Sequence, residues 1–311
     1  MSLPGAVDLT VAVGSLRLAN PVMAASGTFG YGLEFSHLTD LNKLGGLVVK
    51  GLSLEPMEGA PAPRMVPAAA GMLNAIGLQN VGVAKFISEK LPALRAFRTQ
   101  IIANVFGRTV QEYVEVLRHL ESAEGLAGYE LNISCPNVAC GGAQFGSDPW
   151  LVSEVVSASR AAARRPLWVK LSPLVTDIRV IAKAAAEAGA DALTVANTYP
   201  AMSVDFRTRK SRLGNPTGGL SGRAIKPITL RLVSEAFRAV RIPIIGLGGV
   251  NSAEDVLEYM VVGAPAVQVG TASFVDPKAC ERILGDVNAA CASDNIFTIS
   301  KLTGTLRANN G

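Results

Sequence analysis

Eight times along the chain, a short apolar run ends in a small or polar residue and gives way to a segment with helical periodicity. The runs are 21–25, 47–50, 101–105, 129–134, 167–172, 192–197, 243–246 and 266–270. The helical segments that alternate with them are 34–44, 83–97, 110–122, 149–163, 178–188, 227–240, 253–262 and 277–290. Strands that follow one another in the same direction need a crossover, and a helix in every gap supplies it. Eight such units are the number that closes a (β/α)8 TIM barrel, with an open doubly wound sheet as the alternative. Asp148-Pro149 and Ser252-Ala253-Glu254-Asp255 read as helix starts, and Gly189 and Gly263 stand where left-handed residues end helices.

Ahead of the first run, two short apolar stretches flank Gly14-Ser15, a two-residue turn that predicts an N-terminal β-hairpin plugging the barrel floor. Two connections, 51–82 and 198–226, are too long for ordinary strand-to-helix loops and are expected to cover the mouth. No linker or composition break divides residues 1–311, so one barrel domain is expected. Lys plus Arg total 29 against 25 for Asp plus Glu, with no basic run, which argues against a nucleic-acid partner. The longest uncharged stretch, 65–84, carries Pro67, Asn74, Gln79, Asn80 and glycines, and would not survive in lipid, so no membrane span is expected. The N-terminus has no basic region followed by an apolar core, hence no secretion signal. Four scattered cysteines, Cys135, Cys140, Cys280 and Cys291, suit a reducing cytoplasm and form no cluster or metal ligand set.

In such barrels the chemistry sits at the C-terminal ends of the strands. Read in order, those ends carry Ser26, Lys50, Asn104, Asn132 with Cys135, Lys170, Asn197, Gly248-Gly249 and Gly270-Thr271. The two glycine turns after strands seven and eight, each followed by a helix, match the recurrent phosphate site of these barrels. Lys50 and Lys170 face each other across the mouth and call for an anion or an electron-rich ring. Glu130, two residues before Asn132 and so on the same face, is expected to be buried and paired with one of them. In Asn132-Ile133-Ser134-Cys135-Pro136-Asn137, a thiol opens a loop at a strand end between amides. Together with Asn74 and Asn197, those amides suit a flat ring with alternating carbonyl and N–H groups, such as a pyrimidine.

Set beside Leu73-Asn74-Ala75-Ile76-Gly77-Leu78-Gln79-Asn80, the cysteine segment makes the chain resemble dihydroorotate dehydrogenases, and among them the class 1B catalytic subunits. Ala25-Ser26-Gly27, Glu55-Pro56 through Pro63-Arg64, Asn197-Thr198, Gly218-Gly219-Leu220-Ser221-Gly222 and both glycine turns carry the resemblance onward. It implies FMN contacts from Ser26, Lys50, Gly51, Asn104, Asn132, Lys170, Ala196, Gly222, Gly248, Gly249, Gly270 and Thr271. It implies substrate contacts from Lys50, Asn74, Ala75, Ile76, Gly77, Leu78, Asn132, Asn197 and Thr198, with Cys135 as catalytic base; Cys140 departs from the polar residue expected in that loop. The implied reaction is oxidation of dihydroorotate to orotate in pyrimidine biosynthesis. The implied assembly is a homodimer joined by a subunit carrying FAD and an iron-sulfur cluster that passes electrons to NAD, making a heterotetramer. The division of labour fits a chain without a Gly-x-Gly-x-x-Gly fingerprint for a second nucleotide. Alternatives from other classes are a class 1A homodimer using fumarate, a flavin-free isomerase or lyase of sugar phosphates, a dihydrouridine synthase, and a non-catalytic interaction module. The synthase would want a strongly basic face and an RNA-binding extension, and the module would have no need of converging polar strand ends.

Overall fold

A computed structural model describes residues 6–134, 139–140 and 143–308. Its centre is a closed barrel of eight parallel strands in chain order: Val22–Ala24, Gly46–Val48, Gln100–Val105, Gly128–Asn132, Leu167–Lys170, Ala192–Val195, Ile244–Leu247 and Ala266–Val269. Closure is made by the last strand on the first, with Val267 opposite Val22 and Val269 opposite Ala24. These strands are nearly continuous runs of buried residues because helices cover their outer face and side chains fill the interior. The α-helix Val110–Glu121 shows how the outer layer is made. Thr109 accepts the Glu112 N–H at its start, and Tyr113, Val116, Leu117 and Leu120 fall on one buried stripe, each worth about 1.5–3 kcal/mol of apolar burial.

The helix starts read at Asp148 and Ser252 are real. Asp148 accepts the N–H groups of Trp150 and Leu151, and Ser252 forms a reciprocal capping box with Asp255. Gly189 and Gly263 adopt φ of +105° and +123° just past the helices Ile178–Glu187 and Ala253–Val261.

The first expected helix, 34–44, is absent. Two short 3-10 turns, Leu33–Phe35 and Leu41–Lys43, stand in its place. Gly30 and Gly32 hold left-handed conformations before the first turn, and Asp40 accepts the Asn42 N–H, which starts a second turn instead of continuing a helix. The segment 83–97 is helical only to Leu94, with a π turn at Phe86–Lys90 between Val83–Lys85 and Leu91–Leu94. Pro92, which has no N–H to offer, is the second residue after the wider turn. After the eighth strand, a four-residue helix, Ala272–Val275, precedes the long one, Ala279–Ser293, so the expected 277–290 is shifted towards the C-terminus.

The hairpin Val11–Val13 and Leu16–Leu18 turns at Gly14 with φ +61°. A Cβ on Gly14 would lie 3.3 Å from the Asp191 carbonyl oxygen, and Leu16 reaches Gly128. Both neighbours stand at the N-terminal ends of barrel strands, so the hairpin closes the floor. At the opposite end the two long connections fold together. Met65–Ala68, Gly71–Asn74, Gly218–Ser221 and Tyr199–Ala201 form one antiparallel four-stranded sheet, with Asn74 opposite Gly219.

Candidate active site

Between this sheet and the barrel mouth lies a cavity of about 830 Å³. The structure gathers around it every described residue to which the resemblance assigns a cofactor or substrate contact. From the first strands come Ser26, Lys50 and Gly51; from the long connections Asn74, Ala75, Ile76, Gly77, Leu78 and Gly222. Strands three to six supply Asn104, Asn132, Lys170, Ala196, Asn197 and Thr198, and the last two turns Gly248, Gly249, Gly270 and Thr271. Cys135 and Asn137 lie outside the described residues, and Cys140 is described only as part of the two-residue strand Ala139–Cys140.

The charge on the lining is one-sided. Lys50, Lys170 and Arg223 contribute to it, and among the described lining residues there is no Asp or Glu. Burial pushes the Lys50 ammonium below the ordinary lysine value, and the charge of Arg64 adds to the effect. Lys170 is only 6% exposed, and burial depresses it too, with Glu130 working in the other direction. An ammonium group buried, as at Lys170, or half-buried, as at Lys50, is stabilised by whatever anion enters.

Glu130 does not form the expected ion pair with a lysine. Its carboxylate is fully buried and accepts three hydrogen bonds: from Asn104 Nδ2 at 2.8 Å, Thr194 Oγ1 at 2.7 Å and Gln268 Nε2 at 2.6 Å. Glu130 is level with Asn104 and Trp168, and Lys170 with Asn132 and Thr194; three donors of the barrel interior, Thr194 among them, occupy the carboxylate in place of the lysine. A carboxylate can only accept, so it fixes the direction of both amides. Asn104 Oδ1 and Gln268 Oε1 are consequently buried acceptors with no donor among the described residues.

On the next layer up, Asn197 Nδ2 donates to Ser134 Oγ at 2.6 Å and to Asn132 Oδ1 at 3.3 Å, while Ser134 Oγ donates to Asn132 Oδ1 at 2.9 Å. The Tyr113 hydroxyl donates to the Asn132 carbonyl at 2.8 Å, and Asn197 Oδ1 accepts the Thr198 N–H at 2.8 Å. Asn74 is tied to the facing strand by a longer bond, 3.3 Å, to the Gly219 carbonyl.

At the other end, Gly248 and Gly249 have φ of +154° and +74°. A Cβ at Gly248 would meet Thr229 Oγ1 at 2.6 Å, and one at Gly249 would meet Lys226 Cβ at 2.7 Å, so only glycine fits. The N–H groups of Gly249, Val250, Gly270 and Thr271 find no acceptor among the described residues. The helix Ala253–Val261 does not add its own end to this cradle, since its capping box already uses it. The second turn differs: it runs directly into the short helix Ala272–Val275, whose N-cap residue Thr271 makes no side-chain cap bond, so only the helix after the first turn departs from the expected use of a helix start.

Ser134 and Ser221 stood in the sequence motifs without a role, and four lining or supporting residues escaped the sequence reading: Arg223, Asn251, Thr194 and Gln268. The last two had a usable signal, a lone polar residue inside an otherwise apolar buried strand.

A closed (β/α)8 barrel whose C-terminal mouth opens on an amide-rich, cation-lined cavity has the architecture of the barrel enzymes. The dihydroorotate dehydrogenase family model matches residues 8–290, and the chain belongs to that family. It is similar to proteins named dihydroorotate dehydrogenase B (NAD(+)), catalytic subunit, from Geobacter sp. strain M21 and Trichlorobacter lovleyi. The identities are 52% over 96% of this chain and 98% of the relative, and 54% over 96% and 98%. A Solibacter usitatus protein, provisionally named dihydroorotate dehydrogenase A (fumarate), is 54% identical over 96% of this chain and 99% of its own. The crystal structure of the Eimeria tenella enzyme in complex with ferulenol superposes with a TM-score of 0.81, covering 96% of this chain and 88% of that one at 22% identity, a likeness of fold. No described helix is long and apolar enough to cross a membrane.

Proposed function

We propose that this chain, acting as one barrel domain in the cytoplasm, is an FMN-containing catalytic subunit that oxidises (S)-dihydroorotate to orotate for pyrimidine synthesis. The observation that carries the reading is the cavity lining, with its cations, its amides and its lack of carboxylates. Substrate and cofactor are both anions, one a carboxylate and one a phosphate ester. The residues fit the cofactor: four unpartnered backbone N–H groups suit the phosphate, and the orphaned Asn104 Oδ1 awaits a donor such as a ring N–H or ribityl hydroxyl. Bound FMN would supply the hydride acceptor, taking the C6 hydride of dihydroorotate at N5.

The chain's own residues do the rest. Lys170 would stabilise negative charge at the flavin, and Lys50 would meet the substrate. Asn74, Asn132 and Asn197 would hold the pyrimidine ring through paired donors and acceptors, with Ser134 keeping Asn132 and Asn197 in register. Cys135 would take the proton from C5. A thiol of ordinary pKa, about 8.5, is mostly protonated at neutral pH, so turnover should rise with pH until the base has titrated.

Electrons would leave through a partner subunit carrying FAD and an iron-sulfur cluster and reach NAD, in a heterotetramer built on a homodimer of this chain. The names of the relatives from Geobacter and Trichlorobacter support this assignment, and that of the Solibacter relative favours direct use of fumarate as the second reading. Two measurements test the proposal. Cys135→Ala should retain FMN and orotate binding and lose most flavin reduction in rapid mixing; reduction near the wild-type rate would remove Cys135 as the base. The isolated chain should reduce an artificial dye but form little NADH at 340 nm until the partner is added. Fast turnover with fumarate alone would move it to the second reading, and a purified protein unable to take up FMN would end both.

A further inference from the structure

Directly behind the 248–251 turn, outside the cavity lining, stand Lys226, Asp255 and Glu258. Asp255 Oδ2 accepts the N–H groups of Asn251 at 2.8 Å and Ser252 at 2.9 Å. Its other oxygen takes the Lys226 ammonium, which also reaches Glu258 Oε2 at 2.6 Å. Lys226 lies under Gly249, as the Cβ clash there shows, and the side chains of Lys226 and Asp255 are 21% and 11% exposed. Burial by itself would raise the Asp255 carboxyl; the hydrogen bonds from Lys226 and Asn251 outweigh it and hold the group ionised.

This arrangement poses an electrostatic problem. The carboxylate that braces the turn is fixed within one residue of N–H groups suited to a phosphate, and two like charges at that range repel. Lys226 removes the conflict. It is poor in solvent contact, so salt screens it less than an exposed cation. Glu258, at 40% side-chain exposure, is better solvated and holds the ammonium from the far side.

We propose that Lys226 is a positioning residue for the phosphate end of the cofactor, neutralising Asp255 so that this carboxylate can shape the turn without repelling a phosphate monoester. The proposal rests on the FMN reading above. It predicts a dependence on the phosphate group itself, because Lys226 and Asp255 stand at the glycine turn that would hold the phosphate and outside the cavity lining.

The test titrates flavin-stripped full-length protein with FMN and with riboflavin, which lacks the phosphate, following quenching of flavin fluorescence. Wild type should prefer FMN; if it binds neither flavin, the cofactor reading fails before the role of Lys226 is reached. Lys226→Met should lose about tenfold or more in FMN affinity and little in riboflavin affinity. Lys226→Arg should retain the preference. The double variant Lys226→Met with Asp255→Asn should recover most of it, because asparagine can still accept from the turn but carries no charge. Parallel losses for both flavins, or a double variant no better than Lys226→Met, would reduce Lys226 to a structural residue and overturn the proposal. Asp255→Asn alone guards against a misfolded Lys226→Met: it should bind FMN at least as well as wild type, and weaker FMN binding with riboflavin binding intact would also overturn it.

Discussion

Replacing Glu130 by glutamine keeps the shape of the side chain and removes its charge, which separates what the carboxylate does for the barrel from what it does for the site. Three donors converge on it, from Asn104, Thr194 and Gln268, all inside the barrel. Hydrogen bonds to a charged group are worth about 1.5–3 kcal/mol each and neutral ones about 0.5–1.5, so three conversions cost about 3 kcal/mol. Part of that is returned because a charge no longer has to be buried. The glutamine N–H2 must also face a donor, a mismatch that the Thr194 hydroxyl can relieve by rotating or Asn104 by turning its amide. The expected net loss is about 1–3 kcal/mol, measured as a lower urea midpoint at unchanged slope for the flavin-free protein. Glu130→Ala, which strands all three donors, should cost about 3–9 kcal/mol, enough to unfold a protein of ordinary stability. The second readout is Lys170. Burial depresses it and Glu130 opposes that, so in Glu130→Gln the ammonium deprotonates at lower pH than in wild type. Since the protonated lysine is the form that favours an anion, FMN affinity should fall with rising pH in both proteins, and start to fall earlier in the variant. A variant as stable as wild type, with the same pH profile for FMN, would refute the reasoning.

Two further outcomes follow from other parts of the molecule. Asn197→Ala removes the donor that joins Ser134 and Asn132 and should weaken orotate binding by about 1–3 kcal/mol while leaving FMN content unchanged; a folded but colourless variant would place Asn197 with the cofactor instead. Burial pushes the Cys280 thiol from 9.0 up to about 12, so the folded state keeps a proton that the unfolded state loses, and this stability is present below pH 9.0 and lost progressively between 9.0 and about 12. By pH 11 the loss should reach about 3 kcal/mol relative to pH 8, and Cys280→Ala should lose correspondingly less in urea titrations at the two pH values.

The barrel was legible because its code is local: each strand is a short apolar run and each helix a stripe, and both show in windows of a dozen residues. The segment 34–44 has a helical spacing of apolar residues, but Gly30, Gly32 and the Asp40 side chain decide the backbone there, and a stripe does not reveal them. The sheet over the mouth was hidden for another reason. Gly218–Ser221 pairs with Gly71–Asn74 across almost half the chain, and Gly-Gly-Leu-Ser has little intrinsic strand preference; its neighbours make it a strand. Strand-end residues were found in the sequence because the barrel assigns them a place once the strands are known. Glu130 was placed on the right face by the two-residue period, but its partners required the register between strands, which no single strand contains.

Glu130 and Asp255 share a design that accounts for the sign of the cavity. Each is a carboxylate close to the mouth, and each has its oxygens taken up by donors of the chain: two amides and a hydroxyl for Glu130, two backbone N–H groups and Lys226 for Asp255. A carboxylate so occupied has little capacity left to pair with Lys50 or Lys170, and neither lysine has an ion-pair partner among the described residues. With Lys170 buried and Lys50 half-buried, an incoming anion offsets part of the cost of keeping these ammonium groups from water, which is binding free energy held ready at two points of one cavity. The acids thus serve the site by being turned away from it. They brace Asn104 and the turn that line the cavity, and they leave its unpaired positive charge to an incoming anion.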